Sequence, residues 1–204
     1  MRKVMLATVS VLATGGPDAL GIEDVAKRAG VATASVARRW PTPGALIGAA
    51  LSSLRSGAET VPIPQRGTLR ADLMEVARQA RDRLRSMEGR ALARVLYASR
   101  ERPELFALAM SIEGARQTAL RLVVEAAAAR GEIAKDADVT ALVEVVSATL
   151  RDRLFLRGED ADDRFVGRLV DFALRAIGAR VKSEAAKTRA PHRKVALRKR
   201  ARSG

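Results

Sequence analysis

Glycine and proline cut the first sixty residues of this chain into pieces that admit little except short helices. Gly15-Gly16-Pro17 ends the apolar opening segment, Gly30 ends the next, and Pro41 with Pro43 bounds a third. Proline removes a backbone donor and clashes with the preceding turn, while glycine gives up the most backbone freedom inside a helix. Between these breaks the apolar residues recur at helical spacing. Met5, Val9 and Leu12 mark one helix, Ile22, Val25, Ala26 and Ala29 a second, and Val36 and Trp40 one face of a third. Thr42-Pro43 then reads as an N-cap followed by a proline in the first helical turn, opening a fourth helix from Pro43 to about Arg55.

The segment VPIPQRG, Val61 to Gly67, is the strongest internal boundary, because two prolines in extended geometry cannot lie inside a helix. Longer apolar stripes follow it. One runs through Leu69, Leu73, Val76, Ala77, Ala80 and Leu84. A second runs through Leu105, Leu108, Ile112, Ala115, Ala119, Leu122 and Ala126, opened by Pro103 and closed by Gly131. Val139, Leu142, Val143, Val146, Leu150 and Leu154 form a third, and Phe165, Val166, Leu169, Val170, Phe172, Ala173, Ala176 and Ile177 a fourth. No stretch alternates with the period of two that a half-buried strand needs. A hydrophobic content of 48% with only 3% aromatics places Ala, Leu and Val in the core, which also favours helix. The expected fold is all-α, with an N-terminal three-helix domain over residues 1–60, a helical bundle over 61–180 and a basic tail over 181–204.

Composition removes several function classes. With no cysteine, disulfides and thiolate metal sites are excluded, and the lone histidine, His192, lies in the tail. No Gly-rich phosphate loop or metal-ligand cluster occurs, so no enzyme, metal or cofactor is expected. The acidic knot Asp160, Asp162 and Asp163 precedes the last apolar stripe and reads as charge favoured by a helix N-terminus rather than a metal site. The start MRKVMLATVSVLATGG is basic then apolar. It is broken by Thr8, Ser10 and Thr14 and lacks a small-residue cleavage site, which argues against a signal peptide. No apolar run approaches the length of a membrane span, so a cytoplasmic location without membrane contact is expected. Eight of the fourteen net positive charges fall in the last 24 residues. Such a tail suits a polyanion, since each neutralised phosphate releases counterions; the plainer alternative is a solvated segment that aids solubility.

The chemistry-bearing stretch is Gly21 to Trp40. Two short helices joined by a Gly30-Val31 turn can set the second in the DNA major groove while the first crosses the backbone. The surrounding string Gly-Ile-Glu-Asp-Val-Ala-Lys-Arg-Ala-Gly-Val, then Ser-Val-Ala-Arg-Arg-Trp-Pro-Thr-Pro-Gly-Ala-Leu, resembles the N-terminal domain of the tetracycline-repressor (TetR) family. The matched elements are Val25-Ala26, Ala29-Gly30-Val31, Ser35-Val36, Arg38-Arg39-Trp40, Pro41-Thr42 and Ala45-Leu46. GTLRADLMEVARQARDRL, AARGEI and RLFLRGEDADDRFVGRLVDFALRAI resemble the family's C-terminal ligand and dimerisation domain. The resemblance covers nearly all of residues 1–180. It implies a homodimeric repressor that binds a palindromic double-stranded operator and releases it when a small molecule enters the bundle.

Against the family's usual pattern, three phosphate-gripping side chains are missing. Gly21 stands where Thr or Ser commonly caps the second helix, Ala37 where a Tyr commonly meets a phosphate, and Pro43 where a Lys commonly points at the backbone. Thr33 takes a position that is often basic or polar. At about 1 kcal/mol each, six lost contacts per dimer would cost several kcal/mol. Arg38, Arg39, Lys27-Arg28 and Arg2-Lys3 are the expected compensation, with Thr33 and Ser35 at base edges and Ala34 against a thymine methyl. The 24-residue tail, with an r.m.s. span of roughly 25–30 Å, is a further candidate. Val36 and Trp40 read as packing residues, and an intradomain salt bridge is the alternative role for Arg38.

Two further sites are expected. The last two stripes, linked only by RGEDADD, suit an antiparallel helix pair whose wide apolar arcs form a two-fold dimer surface through Val139, Val143, Val146, Leu150, Phe165, Leu169, Phe172 and Ile177. Central burial in a single bundle is the alternative. Met74, Met87, Tyr97, Phe106 and Met110 are the candidate lining of an effector cavity, with core filling as the alternative.

Overall fold

The computed structural model describes residues 1–58, 64–134 and 137–177, and the residues it describes form helices and connecting turns without a strand. The basic tail, residues 181–204, and the first three residues of the boundary at 61–67 lie outside them. In chain order the helices are α1 (Arg2–Gly15), α2 (Ile22–Ala29), α3 (Thr33–Arg39), α4 (Pro43–Ala58), α5 (Leu69–Arg85), α6 (Met87–Ala98), α7 (Pro103–Ala129), α8 (Val139–Arg151) and α9 (Asp163–Ala176). A π-helical turn, Asp152–Leu156, continues α8.

Side-chain caps set most of these starts. The hydroxyls or carboxylates of Thr42, Thr68, Ser86, Asp138 and Asp162 accept from the backbone N–H groups of Ala45, Ala71, Gly89, Ala141 and Phe165. Each satisfies an N–H that the helix itself leaves unpaired. Ser86 both ends α5 and caps α6, so the corner between them has no spare residue. The backbone there passes so close that a Cβ on Gly89 would lie 1.9 Å from the Arg83 carbonyl oxygen. That corner is why α6, which no apolar stripe in the sequence announces, is a separate helix.

Two hydrophobic cores result, and their division does not follow the break near residue 61. The first holds α1–α4, with Leu12, Leu46, Ile47 and Leu51 fully buried, and takes in Ala91, Leu92 and Val95 of α6 and Ala109 and Ile112 of α7. The second joins α5, the later part of α7, α8 and α9 around Leu73, Val124, Leu142, Leu150, Val166 and Val170. At roughly 1.5–3 kcal/mol per fully buried Leu, Ile or Val, the shared first core binds α6 and α7 firmly to the N-terminal helices.

Serving both cores changes the face α7 buries along its length. Leu105, Leu108 and Ala115 pack on the first core, as their spacing implies. Farther on, Leu120, Val123, Val124 and Ala127 are buried instead, while Leu122 and Ala126 are exposed. A single stripe through Leu122 and Ala126 is therefore corrected: the helix turns a different face to its second partner.

The seam between α5 and α9 is electrostatic as well as apolar. Arg70 pairs with Asp171 at 2.8 Å, Arg78 and Arg81 both reach Asp163, and Arg85 pairs with Asp160. Hydrogen bonds from Arg81 and then Arg78 hold the Asp163 carboxyl below the ordinary carboxylate range. The bond from Arg70 does the same for Asp171, against a smaller opposing effect of burial. Of the acidic knot, Asp162 caps α9 while Asp160 and Asp163 hold α5 arginines.

Candidate nucleic-acid interface and effector cavities

Gly21 precedes α2 in extended conformation, with no side-chain cap, and Glu23 and Asp24 supply the first-turn negative charge that the helix dipole favours. Asp24 is also tied to Arg28 at 2.9 Å, which takes Arg28 out of the free cation set. The helix ends at Gly30, in the left-handed conformation at φ 66°, where any other residue would be strained. Gly30 N–H donates to the Lys27 carbonyl and Val31 N–H to the Ala26 carbonyl, turning the chain into α3.

The seven residues of α3 divide cleanly. Val36 is 2% exposed and Trp40, which ends the helix, is 9% exposed, and both belong to the first core. Thr33, Ala34, Ser35, Arg38 and Arg39 are exposed and Ala37 is half-buried. At 1.5 Å per residue the helix is about 10 Å long, within a major groove about 12 Å wide. Among the described residues neither Arg38 nor Lys27 forms an ion pair, so the salt-bridge alternative for Arg38 finds no partner. The Arg39 guanidinium sits 5.5 Å from the centroid of the Trp40 ring, which the core holds in place. Pro43 is exposed at the first position of α4, beside the Thr42 cap, and Arg2 and Lys3 are exposed at the start of α1.

The five candidate effector-lining residues do not share a cavity. Met74 is buried in the second core, Met87 packs on the first, Phe106 is half-buried on α7, and Met110 is exposed. Of the five, Tyr97 alone lines either of two cavities in the molecule. The sequence placed flexible apolar residues on the right helices, but Met74 and Met87 face different cores. One cavity, of about 40 Å³, lies inside the bundle between α5, α7 and α8, beside the Glu113–Arg151 ion pair. The other is an open cleft of about 730 Å³ where the α1–α2 turn meets α6 and the π-helical turn. Arg90 and Arg94 on its α6 wall were not anticipated. Their four-residue spacing was visible, but the side of α6 that faces the N-terminal helices was not.

The proposed dimer set is corrected as well. Val143, Val146, Leu150 and Leu169 are buried in the second core of their own chain, which leaves them no surface for a partner. Val139, Phe165 and Ile177 are half-buried against that core. Phe172, 56% exposed, faces outward on α9, and Val145, absent from the expected set, is exposed on α8. The arcs are wide because α8 packs on α5, α7 and α9, and α9 packs on α5 and α8.

Comparisons with known proteins agree with this geometry. Residues 4–50 match the model of the bacterial regulatory proteins of the tetR family, and residues 63–173 match the tetracyclin repressor-like C-terminal domain. The chain is 35% identical over 138 residues to the HTH-type transcriptional regulator AqdR of Rhodococcus erythropolis, a match spanning 67% of this chain and 65% of that relative. Among solved structures it is similar to the TetR family transcription regulator SCO0332, at 27% identity and a TM-score of 0.60 over 86% of this chain and 97% of that one. Salmonella enterica GusR, at 15% identity, shares the fold with a TM-score of 0.70 over 87% and 95% of the two chains.

Proposed function

The chain belongs to the tetR family of DNA-binding transcriptional regulators, and we propose that within it this protein is a ligand-responsive repressor acting as a homodimer on a palindromic operator. As a transcriptional regulator it is not an enzyme. The observation that carries the DNA-reading part is the division of α3, with Val36 and Trp40 fixed in the core and Thr33, Ala34, Ser35, Arg38 and Arg39 turned outward. Among the described residues no helix is long and apolar enough to cross a membrane, and a DNA partner favours the cytoplasm.

In this reading Arg38 and Arg39 grip the operator, aided by Lys27 and by Arg2-Lys3, in place of the side chains that Gly21, Ala37 and Pro43 lack. Thr33, Ser35 and Ala34 meet base edges. Residues 1–60 form the reading head and 61–180 the regulatory part. The dimer forms through the outward face of α8 and α9 around Val145 and Phe172. Ligand response is supported by the first core, in which α6 and α7 pack directly against α1–α4, so that a change in the bundle reaches the reading head. An effector relieves repression only by preferring the arrangement that fits DNA less well.

The test is binding to a duplex from the protein's own upstream region that contains a palindrome, beside a scrambled duplex of equal length. A preference for the palindrome of about a hundredfold or more is expected. Equal affinity for both would reject the operator-reading repressor and favour the competing reading, a dimer with weakened, non-specific DNA contact that acts through a small-molecule or protein partner. The absent side chains at Gly21, Ala37 and Pro43 are what favour that second reading.

A further inference from the structure

The 730 Å³ cleft has the size of a small-molecule site, whereas about 40 Å³ in the bundle holds little more than water. Its wall is amphipathic. Tyr97 of α6 and Leu156 of the π-helical turn line it and are 42% and 64% exposed, an apolar surface that a solvated protein does not need. Leu154 and Phe155 extend the same wall.

The charges in the cleft do not cancel. Arg85 is paired with Asp160, and Asp18 with Arg102. Arg90 donates to the main-chain carbonyl of Arg85, and Arg94 to that of Ala13. A carbonyl fills a hydrogen-bonding position without neutralising the cation, and among the described residues neither arginine meets a carboxylate. Four residues apart on one helix, they stand side by side at the edge of the apolar wall. Guanidinium groups in this setting favour a carboxylate, and the nearby Asp18 and Asp160 disfavour an anion of higher charge.

The geometry points to a binding site in this cleft for an organic monoanion, a carboxylate on an apolar body, with Arg90 and Arg94 holding the carboxylate and Tyr97 and Leu154 to Leu156 the apolar part. Arg94 in use by a ligand is drawn from the Ala13 carbonyl, which lies in the last turn of α1. The inference deepens the ligand-responsive reading by naming a site and a ligand class. It rests on that reading only for an effect on DNA, so the test is made without DNA.

Calorimetric titration of the full chain with decanoate, decanol and decyltrimethylammonium separates charge from apolar contact. Decanoate is expected to saturate one site per chain and to bind more tightly than decanol, with no saturable site for the ammonium. Arg90→Gln, at an exposed position, is expected to weaken decanoate about tenfold, the scale of one charge-assisted bond. Ala80→Leu, which fills the bundle cavity, is expected to leave it unchanged. Equal affinity for the ammonium, an unaltered Arg90→Gln variant, or binding abolished by Ala80→Leu would each overturn the assignment.

Discussion

Arg94 of α6 donates from Nε to the main-chain carbonyl of Ala13, 3.1 Å away in the last turn of α1. The last carbonyls of a helix have no partner within it, and a cation at that end also favours the dipole. The bond therefore ties α6 to the first helix of the reading head by a charged donor.

Arg94→Met keeps the apolar stem and removes that donor. A loss of about 1 kcal/mol is expected, or about 2–4 °C in melting temperature followed by circular dichroism. An unchanged melting temperature would mean the bond contributes nothing in solution.

Leu12 is fully buried in the core that α1 shares with α6 and α7. Leu12→Ala should cost about 3 kcal/mol and lower the melting temperature by about 6–12 °C. Because the core crosses from α1–α4 into α6 and α7, the variant should still melt in one transition. A separate early transition for the N-terminal helices would show that the two parts fold independently.

The outward position of Phe172 makes a clean test of assembly. Phe172→Glu should leave the helical content intact and weaken dimerisation by about a hundredfold in sedimentation equilibrium, since a charge would enter an apolar two-fold contact. A dimer of unaltered affinity would place the interface elsewhere.

Acid should loosen the α5–α9 seam. The folded pKa values of Asp163 and Asp171 are depressed by their arginine partners. Depression means that their stabilising effect is complete above the unfolded value of about 4 and is lost as pH falls through the lower folded value. Melting temperature should therefore drop between about pH 5 and pH 3. Asp171→Asn should start lower at neutral pH and show a shallower acid limb. An acid limb identical to the wild type would contradict the role given to Asp171.

The reading head was the most legible part of the sequence because its structure is local. Gly30, Pro41 and the Thr42 cap act within a turn of themselves, and Val36 and Trp40 lie four apart on one helix face. What depends on distant partners was not legible. Leu122 and Ala126 continue a helical period from Leu108, yet α7 turns another face to its second core. Val143, Val146, Leu150 and Leu169 look like surplus apolar surface until α5 and α7 are seen to cover them. Arg90 and Arg94 carry no signal of the cleft, because its opposite walls come from Gly16 and Leu156, far away in sequence.

The central claim is that α3 reads operator DNA with Arg38 and Arg39 replacing the missing phosphate grips. The most direct measurement is operator affinity of the Arg38→Ala, Arg39→Ala double variant at fixed salt, with dimer formation checked in the same sample. The account expects an intact dimer whose affinity for the palindrome falls at least about a hundredfold, near 3 kcal/mol over the four arginines of a dimer. An affinity within about twofold of wild type would contradict it and place the grip on DNA elsewhere in the chain.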